Sequence, residues 1–533
     1  MSKILYYNGT VLTMDRQNPR AEALLTENGR ILGVGDLHTL SHSGGTPFDL
    51  EGATLIPGFV DGHSHMMGQG LEVLRDCDLM GCESFDELLA RLRAFRAERG
   101  LTHGEPFLGK GYDPAIMREG RHPDAALLDS LGFDNPIGCI HQSGHIGVYN
   151  TAAMKMAGVL SEDYREPDGG VAGRDSEGKL TGYFEETARR PFGRLFVSAD
   201  PVGDMEKGIL LAQDMYIKQG YTTVQDGSNG EGAQIDAFAR LADAGKLRVD
   251  AVVYLSAYLN RAQMRREILE RRGRDYRGRL KIGGVKMFLD GSPQARTAWL
   301  SRPYEGEAEY CGYPRLTDEQ TADRMRLALL EGWQVMAHCN GDAASEQFLT
   351  IFERLREEMG LVGRDLRPVM IHAQTVRYDQ LDRMAKVGMM ASFFVDHCYF
   401  WGDTHIRNLG ERAQRISPAG RALALGIPFS FHQDCPVTRP DMIRSVHNAV
   451  NRVTRNGVVI GCENRLDPYE ALIAATRGGA YTYFEENAKG ILRPGALADL
   501  AVLDHDPTVV APEEVHKISV RYTIKEDQVI YRA

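Results

Sequence analysis

The chain has 533 residues, 43% hydrophobic and 25% charged, a composition suited to a large core spread over two or three domains. Its formal net charge of -11, with no basic tail, argues against nucleic acid or an anionic membrane surface as a partner. No apolar run approaches the ~18 residues of a membrane span, and the cysteines form no CxxC pair, so a cytoplasmic protein without structural disulfides is expected.

In chain order, the first elements are short β runs at 4–7, 10–14 and 31–34, punctuated by Asn and Gly as hairpins require. Similar runs at 498–503, 520–525 and 529–531 end the sequence. Neither set can bury a sheet face alone, so residues 1–53 and 488–533 are expected to share one small β-sandwich.

Between them the rhythm changes. Apolar runs at 54–60, 221–225, 251–255, 281–288, 334–337, 369–371, 389–394 and 427–431 read as buried parallel strands. From the second onward they are mostly separated by stretches of helical periodicity, such as 322–330, 346–359 and 378–387. This alternation predicts an α/β fold, a (β/α)8 TIM barrel over 54–70 and 216–487. The gap at 71–215 is too long for one crossover. It holds a helix-like run at 85–97 and turn clusters at 109–112 and 167–173, and reads as an inserted α/β subdomain near the barrel mouth.

The polar residues of chemical interest fall at the C-terminal ends of these strands. His63 and His65 follow the first, Lys286 lies late in the fourth, His338 ends the fifth, His372 ends the sixth and Asp434 follows the eighth. In a barrel those ends converge, so six groups remote in sequence would meet in one metal site. A single strand-end histidine is more often a hydrogen-bonding core residue; the coincidence of four imidazoles and a carboxylate carries the inference. Lys286, between Val285 and Met287, either pairs with Asp290 or reacts with CO2 to form a carbamate able to bridge two metals.

Two further features are set aside. The segment GEPFLGKG at 104–111 resembles a phosphate-binding loop but has Gly111 where Ser or Thr should stand. The basic stretch at 261–281 is interrupted by Glu267, Glu270 and Asp275 and reads as a solvated helix face.

The motifs LIPGFVDGHSH (55–65), SGHIGVYNTAAM (143–154), VKMFLDGS (285–292), HCNGDAA (338–344), HAQ (372–374), QDCPV (433–437) and GILRPGALADLAVLD (490–504) carry a resemblance. The chain resembles the amidohydrolase superfamily, in particular its YtcJ-like branch, which includes N-substituted formamide deformylase. The resemblance implies a two-metal site with His63 and His65 on one ion, His338 and His372 on the other, Lys286 bridging as a carbamate, and Asp434 at the nucleophile. One departure is His432, where many relatives have a small residue. Imidazole and carboxylate ligands suit Zn2+, with Mn2+ or Fe2+ as alternatives.

The expected reaction is hydrolysis of a C–N amide bond, in an N-substituted formamide or related acyl amide, by a metal-activated water with Asp434 as acid and base. The expected partner is therefore a small amide, with homodimerisation left open. Rival readings are a lactonase, esterase or organophosphate hydrolase on the same centre, and a regulatory binding protein on a hydrolase scaffold. Secondary candidates for substrate contact are His145, Tyr112, Trp299 and His432. His145 matches a family position near the substrate, and Trp299 lies on a long loop after the fourth strand. His432 is either a substrate donor or a group that orients a ligand.

Overall fold

The computed structural model describes residues 3–533 except 143, 145, 162, 168–169, 199, 231, 261, 264–265 and 267–274. His145 and much of the basic stretch at 261–281 thus lie outside the described residues. The chain divides into two units, Met1–Met66 with Ala212–Ala533, and Met67–Leu211.

The first unit is built on eight strands: β1 (Phe59–Val60), β2 (Tyr221–Asn229), β3 (Asp250–Ser256), β4 (Leu280–Phe288), β5 (Gln334–Cys339), β6 (Val369–His372), β7 (Met390–Phe393) and β8 (Phe429–Phe431). They form one sheet in sequence order, and every neighbouring pair is parallel. Val60, Val252, Tyr254, Met336, Val369, Ile371 and Met390 share one buried cluster, so side chains from β1, β3, β5, β6 and β7 meet and the sheet curls. At its edges the Gly62 N–H, just past β1, donates to the Phe431 carbonyl of β8 at 3.1 Å.

Helices follow the strands where the periodicity predicts them. One spans Asp318–Leu330 and starts from a capping box: the Thr317 hydroxyl accepts the Gln320 N–H, and the Gln320 side chain accepts the Thr317 N–H. Two more span Asp342–Glu358 and Tyr378–Val387.

The run at 54–60 is not one strand. Thr54–Pro57 pairs antiparallel with Leu500–Leu503 and parallel with Thr10–Leu12, while Phe59–Val60 joins the eight-stranded sheet. The break falls at Gly58, where a Cβ would lie 2.4 Å from Thr222 Cγ2; only glycine lets the backbone pass so close. Apolar content is continuous across the break, which is why the sequence pattern does not reveal it.

Strands from both ends of the chain pair directly. One six-stranded sheet holds Gln528–Arg532, Val520–Lys525, Leu500–Leu503, Thr54–Pro57, Thr10–Leu12 and Arg20–Ala21 in that order. A four-stranded sheet holds Arg30–Gly35, Ala23–Glu27, Lys3–Tyr7 and Thr46–Asp49. Tyr6, Leu24 and Ile31 of the second pack with Val11, Leu55, Leu500, Val502 and Ile524 of the first in one core.

A buried ionic cluster ties the terminal strands to the parallel sheet. Asp250, at the start of β3, takes Lys489 and Lys525 at 2.6 Å each, and Lys525 also contacts Asp499 at 2.6 Å.

The unit Met67–Leu211 carries a six-stranded mixed sheet and the helix Phe85–Glu98, capped by Ser84. The segments expected as turn clusters are strands: Phe107–Tyr112 pairs parallel with Ile137–His141, and Gly170–Arg174 pairs antiparallel with Leu180–Glu186. Their glycine content favours turns locally, but sheet pairing overrides so weak a preference.

Candidate metal centre

His63 and His65 leave β1 on a tight stretch whose geometry is set by β2. The Gln225 side chain donates through Nε2 to the Gly62 carbonyl at 3.2 Å, which leaves its Oε1 to accept from His63 Nδ1 at 2.5 Å. His65 Nδ1 donates to the Gly227 carbonyl at 2.9 Å. Gly227 is required there, because a Cβ would lie 2.7 Å from His63 Cε1. With both Nδ1 atoms engaged, both Nε2 atoms turn to Asp434 Oδ1, at 3.2 and 3.5 Å.

Lys286 points into the same space from β4. It is fully buried, and its Nζ lies 2.8 Å from His63 Nε2. Burial pulls its pKa down to about 7 against the opposing pull of Asp434. It does not pair with Asp290. That carboxylate accepts the backbone N–H groups of Trp299, Asn340 and Gly341, and burial raises its pKa to about 7.

His338 and His372 form the other half. His372 Nε2 lies 3.0 Å from His338 Nδ1, and His338 Nε2 faces the Gly291 carbonyl at 3.0 Å. Burial, then the charge of Lys286, lowers the His338 pKa to about 3 and that of His63 to about 4, so both rings are neutral, as metal ligands must be. His372 lies 3.8 Å from the other Asp434 oxygen, Oδ2.

Two features fit this donor set to a divalent cation. Asp434 Oδ1 is buried without a hydrogen-bond donor, although two imidazole nitrogens surround it. Among the described residues, His63, His65 and Asp434 are the one set of three such side chains whose donor atoms lie within 4.8 Å of one another. The backbone is also strained here, with positive φ at His372 (69°), Ala373 (45°) and Asp434 (52°). Such residues cost roughly 1–3 kcal/mol each and persist where surrounding structure imposes them, commonly at functional sites.

The six strand-end residues thus meet, whereas the secondary candidates are placed differently. Tyr112 is buried in the core of its own unit among Leu79, Leu88 and Leu92, and its hydroxyl meets His122 Nδ1 at 3.0 Å. Its ring is a packing element of that unit. Trp299 is anchored by its backbone and lines a cavity of about 1290 Å3 with Leu300, Thr375, Val376 and Arg377, and none of the six metal-site residues lines that cavity. Tyr304 on the same loop is buried, its hydroxyl donating to the Ala298 carbonyl, as a loop anchor would be. His432 is fully buried with both ring nitrogens engaged, Nε2 at 3.1 Å from His372 Nδ1 and Nδ1 at 2.9 Å from Ser392 Oγ. Neither nitrogen is left for a substrate, which removes the donor alternative.

Strand-end reasoning missed the residues that orient the ligands. Gln225 sits at the end of the expected second strand but is not a ligand type. Ser392 and Ser430 are polar interruptions in otherwise apolar strands, a signal that was legible. His397 and His405, with Nδ1 and Nε2 3.0 Å apart, form a separate buried imidazole pair just beyond β7 that no spacing marks and that bonds none of the six directly.

A buried cluster of four imidazoles, a lysine and a carboxylate thus stands at the strand ends of a curled parallel sheet, a donor set of the kind that fits a divalent metal. The sequence profile of the Amidohydrolase family matches residues 47–531, and the chain belongs to that family. It is 28% identical to the Putative amidohydrolase YtcJ of Bacillus subtilis (strain 168) over 99% of each chain. It is 25% identical to the N-substituted formamide deformylase of Arthrobacter pascens over 98% of this chain and 97% of that one. The crystal structure of an uncharacterized metal-dependent hydrolase from Pyrococcus horikoshii OT3 superposes with a TM-score of 0.76 at 26% identity, covering 96% of this chain and 99% of that chain. No helix among the described residues is long and apolar enough to cross a membrane.

Proposed function

We propose that the protein hydrolyses the C–N bond of a small amide, an N-substituted formamide or related acyl amide, in a chain composed of a closed (β/α)8 barrel, a β-sandwich of both termini and an inserted subdomain. The observation that carries this reading is the unpartnered Asp434 Oδ1 between His63 Nε2 and His65 Nε2, with Lys286 and the His338–His372 pair beside it.

His63, His65 and Asp434 would hold one divalent ion, Zn2+ being the best match, and His338 with His372 a second. Lys286, neutral enough at pH 7 to react with CO2, would bridge them as a carbamate. Divalent ions at such a centre supply Lewis acidity toward a carbonyl oxygen and activate water at neutral pH. The chain's own work is then proton management. Asp434 takes the proton of the attacking water on a carboxylate oxygen and delivers it to the leaving nitrogen, so that amide and water become acid and amine. Gln225 and the Gly227 carbonyl keep the two imidazoles in the tautomer that presents Nε2.

The test is an amine-release screen of the metal-loaded protein over formyl, acetyl and larger N-substituted amides beside lactones and esters. Turnover of an amide, abolished by chelation and restored by Zn2+, is expected. Turnover of lactones or esters alone would overturn the amide assignment.

A further inference from the structure

Each of the four imidazoles at the centre uses one nitrogen toward the cluster and the other toward a partner. For His63 and His65 the partner is an oxygen, Gln225 Oε1 and the Gly227 carbonyl, and for His338 it is the Gly291 carbonyl with Asn340 Nδ2 beside it at 3.0 Å. An oxygen of that kind only accepts, so it fixes the ring proton on the nitrogen it faces. His372 differs. Its Nδ1 faces His432 Nε2 at 3.1 Å, and an imidazole nitrogen can either donate or accept.

We propose that His432 is a positioning residue: it accepts from His372 Nδ1, holding His372 in the tautomer that presents Nε2 to the metal, and is itself held in that state by Ser392. The inference rests on the metal-centre reading above. For His432 Nε2 to accept, the His432 ring proton must sit on Nδ1, where Ser392 Oγ lies 2.9 Å away and can receive it. Ser392 Oγ is 3.0 Å from Ser430 Oγ, which is 3.5 Å from Thr482 Oγ1, and Thr482 donates to the Gly478 carbonyl at 3.1 Å. Hydroxyls rotate to suit their neighbours, so this chain can run in one direction from His372 to a carbonyl that only accepts. Ser392 and Ser430 are paired across β7 and β8, and all three hydroxyl residues are fully buried, so the relay is set by the sheet itself. His432 therefore does for His372 what an amide or backbone oxygen does for His63 and His65.

The experiment compares His432→Leu, which keeps bulk without an acceptor, with His432→Gln, whose side-chain amide oxygen can reach the position of Nε2. Zn2+ affinity is measured by chelator competition, and the visible spectrum of the Co2+-loaded protein reports ligand geometry. Partners that orient a metal-bound histidine typically change affinity about 10–100-fold. His432→Leu should weaken Zn2+ binding by about that factor and alter the Co2+ spectrum, and His432→Gln should restore most of both. Ser392→Ala, remote from the ligands, should shift both in the same direction by less. Unchanged affinity and spectrum in His432→Leu would overturn the proposal. So would equal losses in the Leu and Gln variants, because His432 would then act by filling space. His65→Ala separates the two readings: if it too keeps full Zn2+ affinity, the metal centre itself is misassigned, and if it loses metal while His432→Leu does not, only this inference fails.

Discussion

The Nζ of Lys286 lies 2.8 Å from Nε2 of His63, two side chains 223 residues apart and both fully buried. Burial of the Lys286 side chain favours the uncharged amine over the cation and lowers its pKa to about 7, against the opposing pull of Asp434.

Lys286→Ala is expected to lose metal and to lower kcat/KM by at least ~100-fold, because the carbamate proposed to bridge the ions would go with the lysine. Short carboxylic acids added to this variant should restore part of the activity by standing in for the carbamate oxygens. A high-resolution map with an unmodified amine turned away from the metals would count against it.

Replacing His63 or His65 by Ala should deplete bound divalent metal, measured by elemental analysis, from about two ions per chain in the parent protein. The melting profile should remain cooperative, since neither ring is a principal packing element of the sheet. Full occupancy in both variants would dismiss the ligand assignment.

Asp434→Asn preserves shape and removes the basic oxygen. General acid–base contributions typically reach roughly 10²–10⁴-fold, so kcat should fall by at least ~100-fold while much of the metal is retained. A near-normal kcat would move the proton transfer to another group.

Asp250→Ala leaves Lys489 and Lys525 buried without their shared carboxylate, each having been 2.6 Å from it. Leaving a buried charge wholly unpaired typically costs about 3–5 kcal/mol; Glu485 at 2.7 Å from Lys489 and Asp499 at 2.6 Å from Lys525 remain, so the loss should fall below that range and read as a lower urea midpoint. The pH dependence has a definite sign. Burial opposes ionisation of Asp250, but the two lysines outweigh it and depress the folded pKa below the unfolded value of ~3.9. Its contribution is thus present above that value and is lost as pH falls through the folded pKa. The parent protein should lose stability on the acid side more steeply than Asp250→Ala does; parallel acid limbs would refute this.

The sequence by itself determined the strand count of the parallel sheet, helices covering 322–330, 346–359 and 378–387 whose first two N-termini lie four residues earlier in the structure, and the six strand-end residues. These follow from local periodicity and from the rule that parallel strands deliver their C-terminal ends to one face. Only the tertiary structure decided how those residues are used. Whether 54–60 is one strand or two depended on the close approach of Thr222 to Gly58, a contact between segments more than 160 positions apart. The state of each imidazole depended on partners just as remote, Gln225 standing 162 positions from His63 and His432 60 from His372. Tyr112 and Trp299 are aromatic residues beside turn-forming ones in sequence, and nothing local distinguishes a pocket wall from a core. Hydrogen bonds and packing are set by distance in space, and periodicity records only which way a side chain points along its own element.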